Sequence, residues 1–409
     1  MLQVQVCVVG GGPAGMMLAY LLGRAGIETC VLEKHADFLR DFRGDTVHPS
    51  TMQVMHELGL LQQFLQLPYS ELRSFSAEIG RSTFKVADFK HVPATCRFIA
   101  LMPQWDFLNF LAQQGRRFPV LQLLMQTRVT ALSEHAGRIV GVEASTPQGP
   151  LAVRAQLVIG CDGRDSVVRQ AAGLTLRDLG SPIDVLWFRL SRQPGDPEQV
   201  LGHLSRDKML VTIDRTSYWQ CAYVIGKGGM HQVQAAGLEA FRRSVADGAL
   251  FLANRVDELQ SFDDVKLLSV TVARLVNWWR PGLLCIGDAA HAMSPIGGVG
   301  INLAIQDAVA TANLLAAKLK AGTLEDRDLA RVQRRRLLPV KLIQRFQVAV
   351  QNRVLRPAVS GTVTELTVPW VIRLLDHSAW LRRWPAQVLG LGVRPEHVHS
   401  PGPDSPDPA

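Results

Sequence analysis

The chain has 409 residues, of which 47% are apolar and 20% charged, so it is predicted to be globular and long enough for two or three domains. The formal net charge is +8, but the basic residues are scattered and no nucleic-acid-binding motif accompanies them, which argues against a nucleic-acid partner. The cysteines stand singly, without metal-ligand spacing, so no metal site is predicted. No stretch reaches about 18 uninterrupted apolar residues, and no transmembrane helix is expected.

The first predicted elements are a strand over residues 3–9 and a helix over residues 16–25, separated by a glycine-rich turn. Its glycines have GxGxxG spacing, which permits a tight turn, a close approach of a pyrophosphate and close packing of the helix on the strand. The helix N-terminus then offers free N–H groups to the anion. The residues predicted to bind a dinucleotide here are Gly10, Gly12, Pro13, Ala14 and Gly15.

A second strand, in the segment IETCVLEK, ends at Glu33 and is followed by Lys34. An acidic side chain at this place accepts hydrogen bonds from the hydroxyl pair of a ribose and would repel a 2′-phosphate. The turn is therefore predicted to bind a dinucleotide, with NAD and FAD both open at this point.

A β meander is predicted over residues 120–156, and the segment LVIGCDGRDSVVRQAAG follows it. Its core is Asp162, Gly163, Ser166 and Arg169. An Asp-Gly pair is also a common turn signal, and Arg169 could equally pair with a carboxylate to fasten the turn.

The segment GDAAHAMSPIGGVGINLAIQDA, residues 287–308, follows the apolar run 283–286. A carboxylate, Asp288, stands at the end of the predicted strand, and a largely buried helix is predicted over residues 299–319. The glycines between them predict that a ligand lies close against the backbone.

These three motifs, in this order, resemble those of the para-hydroxybenzoate hydroxylase family of single-component flavin monooxygenases. The resemblance spans about residues 1–320. It implies an α/β fold: a Rossmann-like FAD-binding domain with an inserted mixed β-sheet substrate domain and C-terminal helices. It implies FAD as the cofactor and NADH or NADPH as a transient co-substrate, since no second GxGxxG is present.

The implied activity is hydroxylation of an aromatic or quinol-like small molecule with O2, through a flavin C4a-hydroperoxide. Two alternatives stay open: an FAD-dependent reductase of a polyprenyl or quinone substrate, and a non-catalytic flavin-binding protein. The expected location is cytoplasmic, with peripheral contact to the inner membrane face as an alternative, and the expected assembly is a monomer or a homodimer.

The resemblance also implies roles for single residues. Asp288 would accept a hydrogen bond from the ribityl chain, and residues 289–300 would run along the isoalloxazine edge. Arg43 and Gly44 match the family's loop over the cofactor, while Gln104 matches a polar residue that opens a nearby helix. The further cofactor-binding residues are Glu33, Lys34, Arg43, Gly44, Gln104, Asp162, Gly163, Asp288, Pro295, Gly298, Gly300, Ile301 and Asn302.

The substrate half is less clearly marked. Strand-rich insertions at residues 73–97 and 179–273 are expected to form a sheet over the active site, flanked by a helix at 233–245. Candidate catalytic residues are His48 and the flavin-adjacent Pro295, whereas His291 is interpreted as structural. Four aromatic residues could line a pocket or face the core of the sheet: Trp187, Phe188, Trp219 and Tyr223.

The predicted domain limits are 1–72, 98–178 and 274–323 for the FAD-binding domain and 324–396 for a C-terminal helical region. That region combines arginines, tryptophans and aliphatic residues, so it either meets an anionic membrane or packs on the FAD-binding domain. The Pro-rich residues 397–409 are predicted to be a disordered tail.

Overall fold

The structure is a computed structural model that describes residues 1–39, 46–80, 82–197, 201–205, 208–359 and 370–402. Its mixed α/β architecture, with a Rossmann-like domain and a second sheet, confirms the predicted fold class. The strands are β1 (Leu2–Val9), β2 (Thr29–Leu32), β3 (Thr46–Val47), β4 (Ser70–Leu72), β5 (Ser74–Ile79), β6 (Ser82–Asp88), β7 (Ile99–Leu101), β8 (Leu121–Leu124), β9 (Arg128–His135), β10 (Arg138–Thr146), β11 (Gly149–Gly160), β12 (Leu176–Asp178), β13 (Ile183–Ser191), β14 (Leu201–Ser205), β15 (Lys208–Asp214), β16 (Tyr218–Gly226), β17 (Lys266–Leu268), β18 (Ala273–Leu275), β19 (Trp279–Arg280), β20 (Leu283–Cys285) and β21 (His291–Ala292).

The helices are α1 (Pro13–Arg24), α2 (Pro49–Glu57), α3 (Leu61–Phe64), α4 (Gln104–Gly115), α5 (Val167–Ala171), α6 (Met230–Ala236), α7 (Leu238–Gly248), α8 (Gly300–Lys320), α9 (Asp326–Val350), α10 (Arg356–Val359), α11 (Trp370–His377) and α12 (Arg383–Gly390). Short 3-10 turns are Phe89–His91, Leu250–Glu258, Phe262–Asp264, Gly287–Ala289 and Ile296–Gly298, and a π-helical turn is Gln351–Leu355.

The first sheet has the order β19-β20-β11-β1-β2-β8, and its central strands are parallel. The inner strands are buried and rich in valine, as expected where helices cover both faces of a parallel sheet. Helices α1 and α8 pack on each other beside it. Helix α1 begins three residues before the predicted start because Pro13 suits the first helical position.

The second sheet has the order β17-β13-β16-β15-β14-β5-β6 and is built from the two strand-rich insertions. Strand β14 lies in it without having been predicted. The single helix predicted at 233–245 is two helices, α6 and α7, because Gly237 between them has a φ of +88°.

Over residues 326–359 and 370–390 the C-terminal region is largely helical, as the sequence indicated, and α9 contains Pro339. Residues 397–402 differ from the predicted disordered tail. The amide of Val398 donates to Glu57 (2.8 Å), and the amides of His399 and Ser400 both donate to Asn313 (2.8 Å). Composition alone predicted disorder, but acceptors on distant helices satisfy this backbone.

One helical stretch, residues 296–320, is long and apolar enough to cross a membrane by length and composition. Because 83% of its window is buried inside the protein, it is typical of a core helix.

Candidate functional site

Three motifs that are distant in the sequence meet at one edge of the first sheet. Strands β1, β11 and β20 are adjacent and parallel, with Val9 beside Gly160 and Gly160 beside Cys285. The glycine turn, the loop at Asp162 and the turn at Gly287 each follow the carboxyl end of one of these strands. In open α/β sheets, ligands bind outside the carboxyl ends of the strands. This edge is therefore the candidate cofactor site.

The three glycines of the first turn have different surroundings. Gly10 has a φ of +104°, and a Cβ there would lie 2.5 Å from the carbonyl oxygen of Cys161. A Cβ at Gly15 would lie 2.0 Å from the Gly10 carbonyl oxygen, so that glycine permits the helix to pack on the turn. A Cβ at Gly12 would meet no heavy atom of the described residues within 4 Å. Gly12 thus fits a pyrophosphate that approaches the backbone from outside.

Helix α1 presents an uncapped N-terminus at this turn. Gly12 is its N-cap, Pro13 is its first residue, and no side chain of the described residues caps it. The N–H groups of Ala14 and Gly15 lie in the first turn and have no acceptor within the helix. Such a terminus suits a phosphate group.

Glu33 lies directly after β2 and is 8% exposed. Its Oε2 accepts a hydrogen bond from the Gly11 amide (2.8 Å), and its Oε1 lies 3.0 Å from the His35 amide and 2.5 Å from the His35 Nδ1. The carboxylate therefore stands against the glycine turn, where the sequence predicts a ribose contact. Lys34 beside it is exposed.

The loop after β11 is fastened to the turn after β20 by arginines. Arg169 donates to the carbonyl oxygens of Ala289 (3.2 Å) and Arg164 (2.6 Å). Arg164 in turn lies 3.2 Å from Asp288 Oδ2. Arg169 therefore binds carbonyl oxygens and not the carboxylate of the alternative interpretation. No sequence pattern indicates Arg164, since its partner lies 124 positions away.

Asp162 has one free carboxylate oxygen in this loop. Its Oδ2 accepts from the Val168 amide (3.1 Å), while Oδ1 is buried without a hydrogen-bond partner among the described residues. Burial raises the pKa of Asp162, although hydrogen bonds from Ser166 and Val168 oppose that shift. An orphaned acceptor of this kind fits a hydroxyl or N–H donor on a bound cofactor.

His291 belongs to a buried ion network and not to an open pocket. Its Nε2 lies 2.5 Å from Asp307 Oδ2, and the other oxygen of Asp307 lies 2.9 Å from Arg336 Nε. Burial alone would raise the pKa of Asp307, but His291 and Arg336 lower it. The Gly287 amide also donates to Asp307 (3.1 Å). The network fixes the turn after β20, which agrees with a structural interpretation of His291.

The loop before α8 owes two of its glycines to protein neighbours. A Cβ at Gly297 would lie 2.7 Å from Leu389, and one at Gly298 would lie 2.4 Å from the Thr46 hydroxyl oxygen. The sequence pattern predicts that glycines here leave room for a flat ring. Both residues also have positive φ angles, which is a separate reason for glycine. A Cβ at Gly300 would meet no described atom within 4 Å, so the predicted reason fits this position.

Asn302 holds the same loop from the first turn of α8. Its Oδ1 accepts from the His48 amide (2.9 Å) and the Thr51 hydroxyl (2.7 Å), and its Nδ2 donates to Thr46 and Gly298 carbonyls (both 3.3 Å). The side chain is thus engaged with protein, which leaves the backbone of α8's first turn for a ligand. No side chain of the described residues caps α8.

His48 is fully buried, and its Nδ1 lies 2.7 Å from the Leu389 carbonyl oxygen. Because a carbonyl only accepts, Nδ1 carries the proton and Nε2 is an acceptor without a partner among the described residues. Burial lowers the pKa of His48 to about 4, against the opposing effect of the Leu389 hydrogen bond. A group with this pKa holds a proton poorly at neutral pH, which favours an accepting role over that of a general base.

The remaining predicted residues lie around the same edge. Gln104 opens α4 after Pro103, and Pro295 and Gly163 are partly exposed, whereas Ile301 is buried. Arg43 and Gly44 lie outside the described residues. Within the residues that the structure describes, no group of His, Cys, Asp or Glu could hold a metal ion.

The second sheet places three of the four candidate pocket aromatics on its far face. Phe188 and Tyr223 each pack on Phe241 with ring centroids 5.5 Å apart, and Trp219 packs on Phe251 at 5.2 Å. They form the core between the sheet and its helices, which was the alternative for these residues. Strand alternation shows that they share a face but does not show which face meets the cofactor domain.

The other face of this sheet turns toward the loop before α8. Trp187 pairs with Ala222, Ala222 with Val211, and Val211 with Gly202, so these residues form one row across four strands. This face packs against Ile296 of the loop before α8 and against Leu389 of α12. Next to the row, Arg215 Nε donates to Gln220 Oε1 (3.0 Å), and both residues are buried. The row is apolar, with the polar Arg215–Gln220 pair near one end.

Comparisons with known proteins agree with this geometry. A family model described as an FAD binding domain matches residues 3–346. The chain is 32% identical to 6-methylpretetramide 4-monooxygenase of Streptomyces rimosus over 384 residues, covering 93% of this chain and 92% of that protein. The chain belongs to the family of FAD-dependent aromatic monooxygenases. FAD is its cofactor, and it hydroxylates an aromatic small molecule.

Two further matches to this monooxygenase are informative. It is 26% identical to para-nitrophenol 4-monooxygenase of a Pseudomonas species over 329 residues, 78% of this chain and 79% of that protein. Among solved structures, PqsL of Pseudomonas aeruginosa in complex with 2-aminobenzoylacetate has a TM-score of 0.75 at 21% identity, covering 92% of this chain and 100% of that one. At that identity the second match supports the fold alone.

Proposed function

We propose that the monooxygenase hydroxylates a flat, multi-ring aromatic compound, with 6-methylpretetramide as the first candidate. The observation that carries this proposal is the 32% identity over 93% of the chain to a monooxygenase named for that compound. The sheet face toward the cofactor domain supports it. Gly202, Val211 and Ala222 are small and lie in one row, so this face presents a flat apolar surface that suits a ring system.

The residues proposed to hold FAD are Gly10, Gly12, Pro13, Ala14, Gly15, Glu33, Lys34, Arg43, Gly44, Gln104, Asp162, Gly163, Asp288, Pro295, Gly298, Gly300, Ile301 and Asn302. The uncapped N-terminus of α1 would take the pyrophosphate, and Glu33 the ribose hydroxyls. The carboxylates of Asp162 and Asp288 would accept hydrogen bonds from the cofactor's hydroxyl groups. The uncapped N-terminus of α8 carries partial positive charge and would favour negative charge on the reduced ring.

FAD, when bound, supplies the transfer of electrons from NADH or NADPH to O2. The protein's part is to hold the substrate, exclude water and orient the ring. The apolar row from Trp187 to Gly202 would exclude water, and the buried Arg215–Gln220 pair would bind a polar group at one end of the substrate. His48 would accept a hydrogen bond through Nε2, since its imidazole is neutral at neutral pH.

The test is a comparison of substrates of two sizes. The FAD-loaded protein is mixed with NADH or NADPH and either 6-methylpretetramide or para-nitrophenol, and reductant consumption and product are measured. We expect hydroxylated product from the larger compound. The variant Ala222→Phe should lower kcat/KM for the larger compound by about tenfold or more, since overpacking costs about 1–3 kcal/mol, and should spare the smaller one.

If the product gains hydrogen but no oxygen, the protein is a reductase and this proposal is wrong. Bound FAD without consumption of either reductant would replace it with the flavin-binding alternative. If Ala222→Phe lowers kcat/KM equally for both compounds, this row of residues does not select substrates by ring size.

Exposed tryptophans in the C-terminal region support contact with a membrane. Trp370 on α11, Trp380 in the turn after it and Trp384 on α12 are 74%, 61% and 60% exposed, and Arg373 on α11 is exposed as well. Exposed tryptophans with basic residues suit an anionic lipid surface. We therefore expect a cytoplasmic protein with peripheral contact to the inner membrane face.

Co-sedimentation with vesicles tests this expectation. Binding should be stronger to vesicles that contain phosphatidylglycerol than to pure phosphatidylcholine, and Trp380→Ser with Trp384→Ser should reduce it several-fold. Leu250→Ser, at a residue 81% exposed elsewhere, is the control. A doubled mass in light scattering that the tryptophan variant abolishes would assign the surface to a homodimer instead.

A further inference from the structure

A row of glutamines on α9 and the turn after it faces the segment that leads into the loop before α8. Gln344, Gln347 and Gln351 are spaced by three and four residues, so they lie on one face. They are 0%, 1% and 0% exposed. Burial of a primary amide is unfavourable unless its hydrogen bonds are made. Three buried amides on one face therefore indicate a dedicated set of partners.

The partners are the backbone groups of residues 292–296. Gln347 Nε2 donates to the carbonyl oxygens of Ser294 (2.9 Å) and Ile296 (3.0 Å), while its Oε1 accepts from the Ser294 amide (3.1 Å). Gln344 Nε2 donates to the carbonyls of Ala273 (2.9 Å) and Ala292 (3.1 Å). One helix thus holds the segment at alternate residues, as a neighbouring strand would.

The third amide contributes less. Gln351 Nε2 lies 2.9 Å from the Ser294 hydroxyl oxygen and 3.3 Å from that of Ser181, at the start of the π-helical turn. Its Oε1 has no partner within the described ranges. The inference therefore rests on Gln347, which has all three of its bonds to one short stretch of backbone.

We propose that Gln347, flanked by Gln344 and Gln351, is a positioning residue that fixes residues 292–296 at the place where the edge of the flavin ring binds. This rests on the proposed placement of FAD, because Pro295 and the glycines after it belong to the predicted cofactor contacts. The segment has little regular structure of its own, since only His291–Ala292 is a strand. The pairing of Ala292 with Ala273 holds one end of the segment and Asn302 holds the loop after it, so the amide clamp sets the position of the residues between them.

A shift of residues 292–296 should change how much of the NAD(P)H consumed leads to hydroxylated product. In coupled turnover, one oxygen atom of O2 enters the substrate, the other leaves as water, and NAD(P)H supplies two electrons. In uncoupled turnover, the same two electrons with two protons convert O2 to hydrogen peroxide. A displaced segment admits water to the reacting centre, so the uncoupled share should rise.

The chain offers a matched control on the same helix. Gln333 Nε2 donates to the Val276 carbonyl (2.8 Å), and its Oε1 accepts from the Trp278 amide (3.1 Å). This is the same kind of clamp on a different stretch of backbone. Gln333→Met therefore removes a comparable set of bonds without touching residues 292–296.

Hydrogen exchange measured by mass spectrometry on the full chain, with and without FAD, tests the clamp directly. Gln347→Met should speed amide exchange in residues 292–298 by about tenfold or more, since each lost bond is worth about 1 kcal/mol. It should also change the visible absorption spectrum of bound FAD and increase peroxide per NAD(P)H with 6-methylpretetramide. Gln333→Met should do none of these.

A second variant keeps the test decisive if Gln347→Met folds poorly. Gln347→Glu retains the acceptor for the Ser294 amide but sets a carboxylate against two carbonyl oxygens, so the same changes are expected. Wild-type exchange at 292–298 in both Gln347 variants, or equal acceleration by Gln333→Met, overturns the proposal. Faster exchange and an altered FAD spectrum, with no compound hydroxylated by the wild type, would support the clamp and contradict the proposed function.

Discussion

Gly12 and Gly15 stand in one turn but are required for different reasons. Gly15 is required by the protein itself, because a Cβ would lie 2.0 Å from the Gly10 carbonyl oxygen. Gly12 has no such neighbour among the described residues, so only a ligand gives it a reason. The GxGxxG spacing predicts both positions but does not separate these causes.

This difference predicts separate effects of two alanine variants. Gly12→Ala should keep the melting temperature of the FAD-free protein nearly unchanged and weaken FAD binding by about tenfold or more, because the methyl group occupies the pyrophosphate's place. Gly15→Ala should lower both. Thermal unfolding and FAD titration by fluorescence measure the two effects. FAD affinity equal to the wild type in Gly12→Ala would contradict this account of the turn.

His48 predicts a pH dependence of stability. Its pKa is about 4 in the folded protein, below the ordinary imidazole value of 6.5, so the unfolded state binds more protons between these limits. The stabilisation is therefore complete above pH 6.5 and is lost as the pH falls toward 4. The loss is about 3 kcal/mol, from 1.36 kcal/mol per pKa unit.

The measurement is urea unfolding of the wild type and of His48→Gln from pH 7 to pH 4. The side chain of the variant can still donate to the Leu389 carbonyl but does not titrate. The wild type should lose more stability than His48→Gln over this interval, because all other titratable groups are the same in both proteins. Parallel curves would show that His48 is not a buried neutral imidazole.

Helix α9 connects the cofactor turn, α8 and the C-terminal segment. Arg336 is 1% exposed and lies 2.9 Å from Asp307 and 3.3 Å from Glu396. Its neighbour Arg335 lies 2.7 Å from the same Glu396, with 33% of its side chain exposed. Two adjacent arginines thus share one partner in very different surroundings.

The two arginines should therefore differ in their contribution to stability. Arg336→Met should lower the free energy of unfolding by about 3 kcal/mol, because it leaves Asp307 with its buried charge only partly compensated. Arg335→Met should cost less than about 1 kcal/mol, since solvent screens its partly exposed side chain and Arg336 still compensates the charge of Glu396. Urea unfolding at pH 7 measures both. Similar values for the two variants would refute the buried network.

The sequence predicted the regular elements of the cofactor domain well, because strand β1, the meander β9–β11 and helix α8 have strong periodicity and clear turn residues. The sequence did not predict that α9 holds residues 292–296. The glutamines that hold residues 292–296 are polar, so an amphipathic reading places them outside the core. The sequence also did not predict which face of the second sheet turns toward the cofactor, because both faces of that sheet are apolar.

At the scale of the whole molecule, the order of three motifs was sufficient to predict that distant segments form one site. Parallel strands make this prediction possible, since their carboxyl ends meet at one edge. Contacts made by single side chains across long separations were not predictable, as the links from Arg164 to Asp288 and from Val398 to Glu57 show. Composition likewise predicted disorder from residue 397, where backbone hydrogen bonds to α2 and α8 hold the chain.

We propose that FAD held at this edge serves to insert oxygen into a multi-ring aromatic compound. To test this, isotopically labelled O2 is supplied to the FAD-loaded protein with NADH or NADPH and 6-methylpretetramide, and the product is analysed by mass spectrometry. We expect a product that carries one labelled oxygen atom, with labelled water as the other product. Unlabelled product, or reductant consumed with labelled peroxide alone, would show that no oxygen atom reaches the substrate.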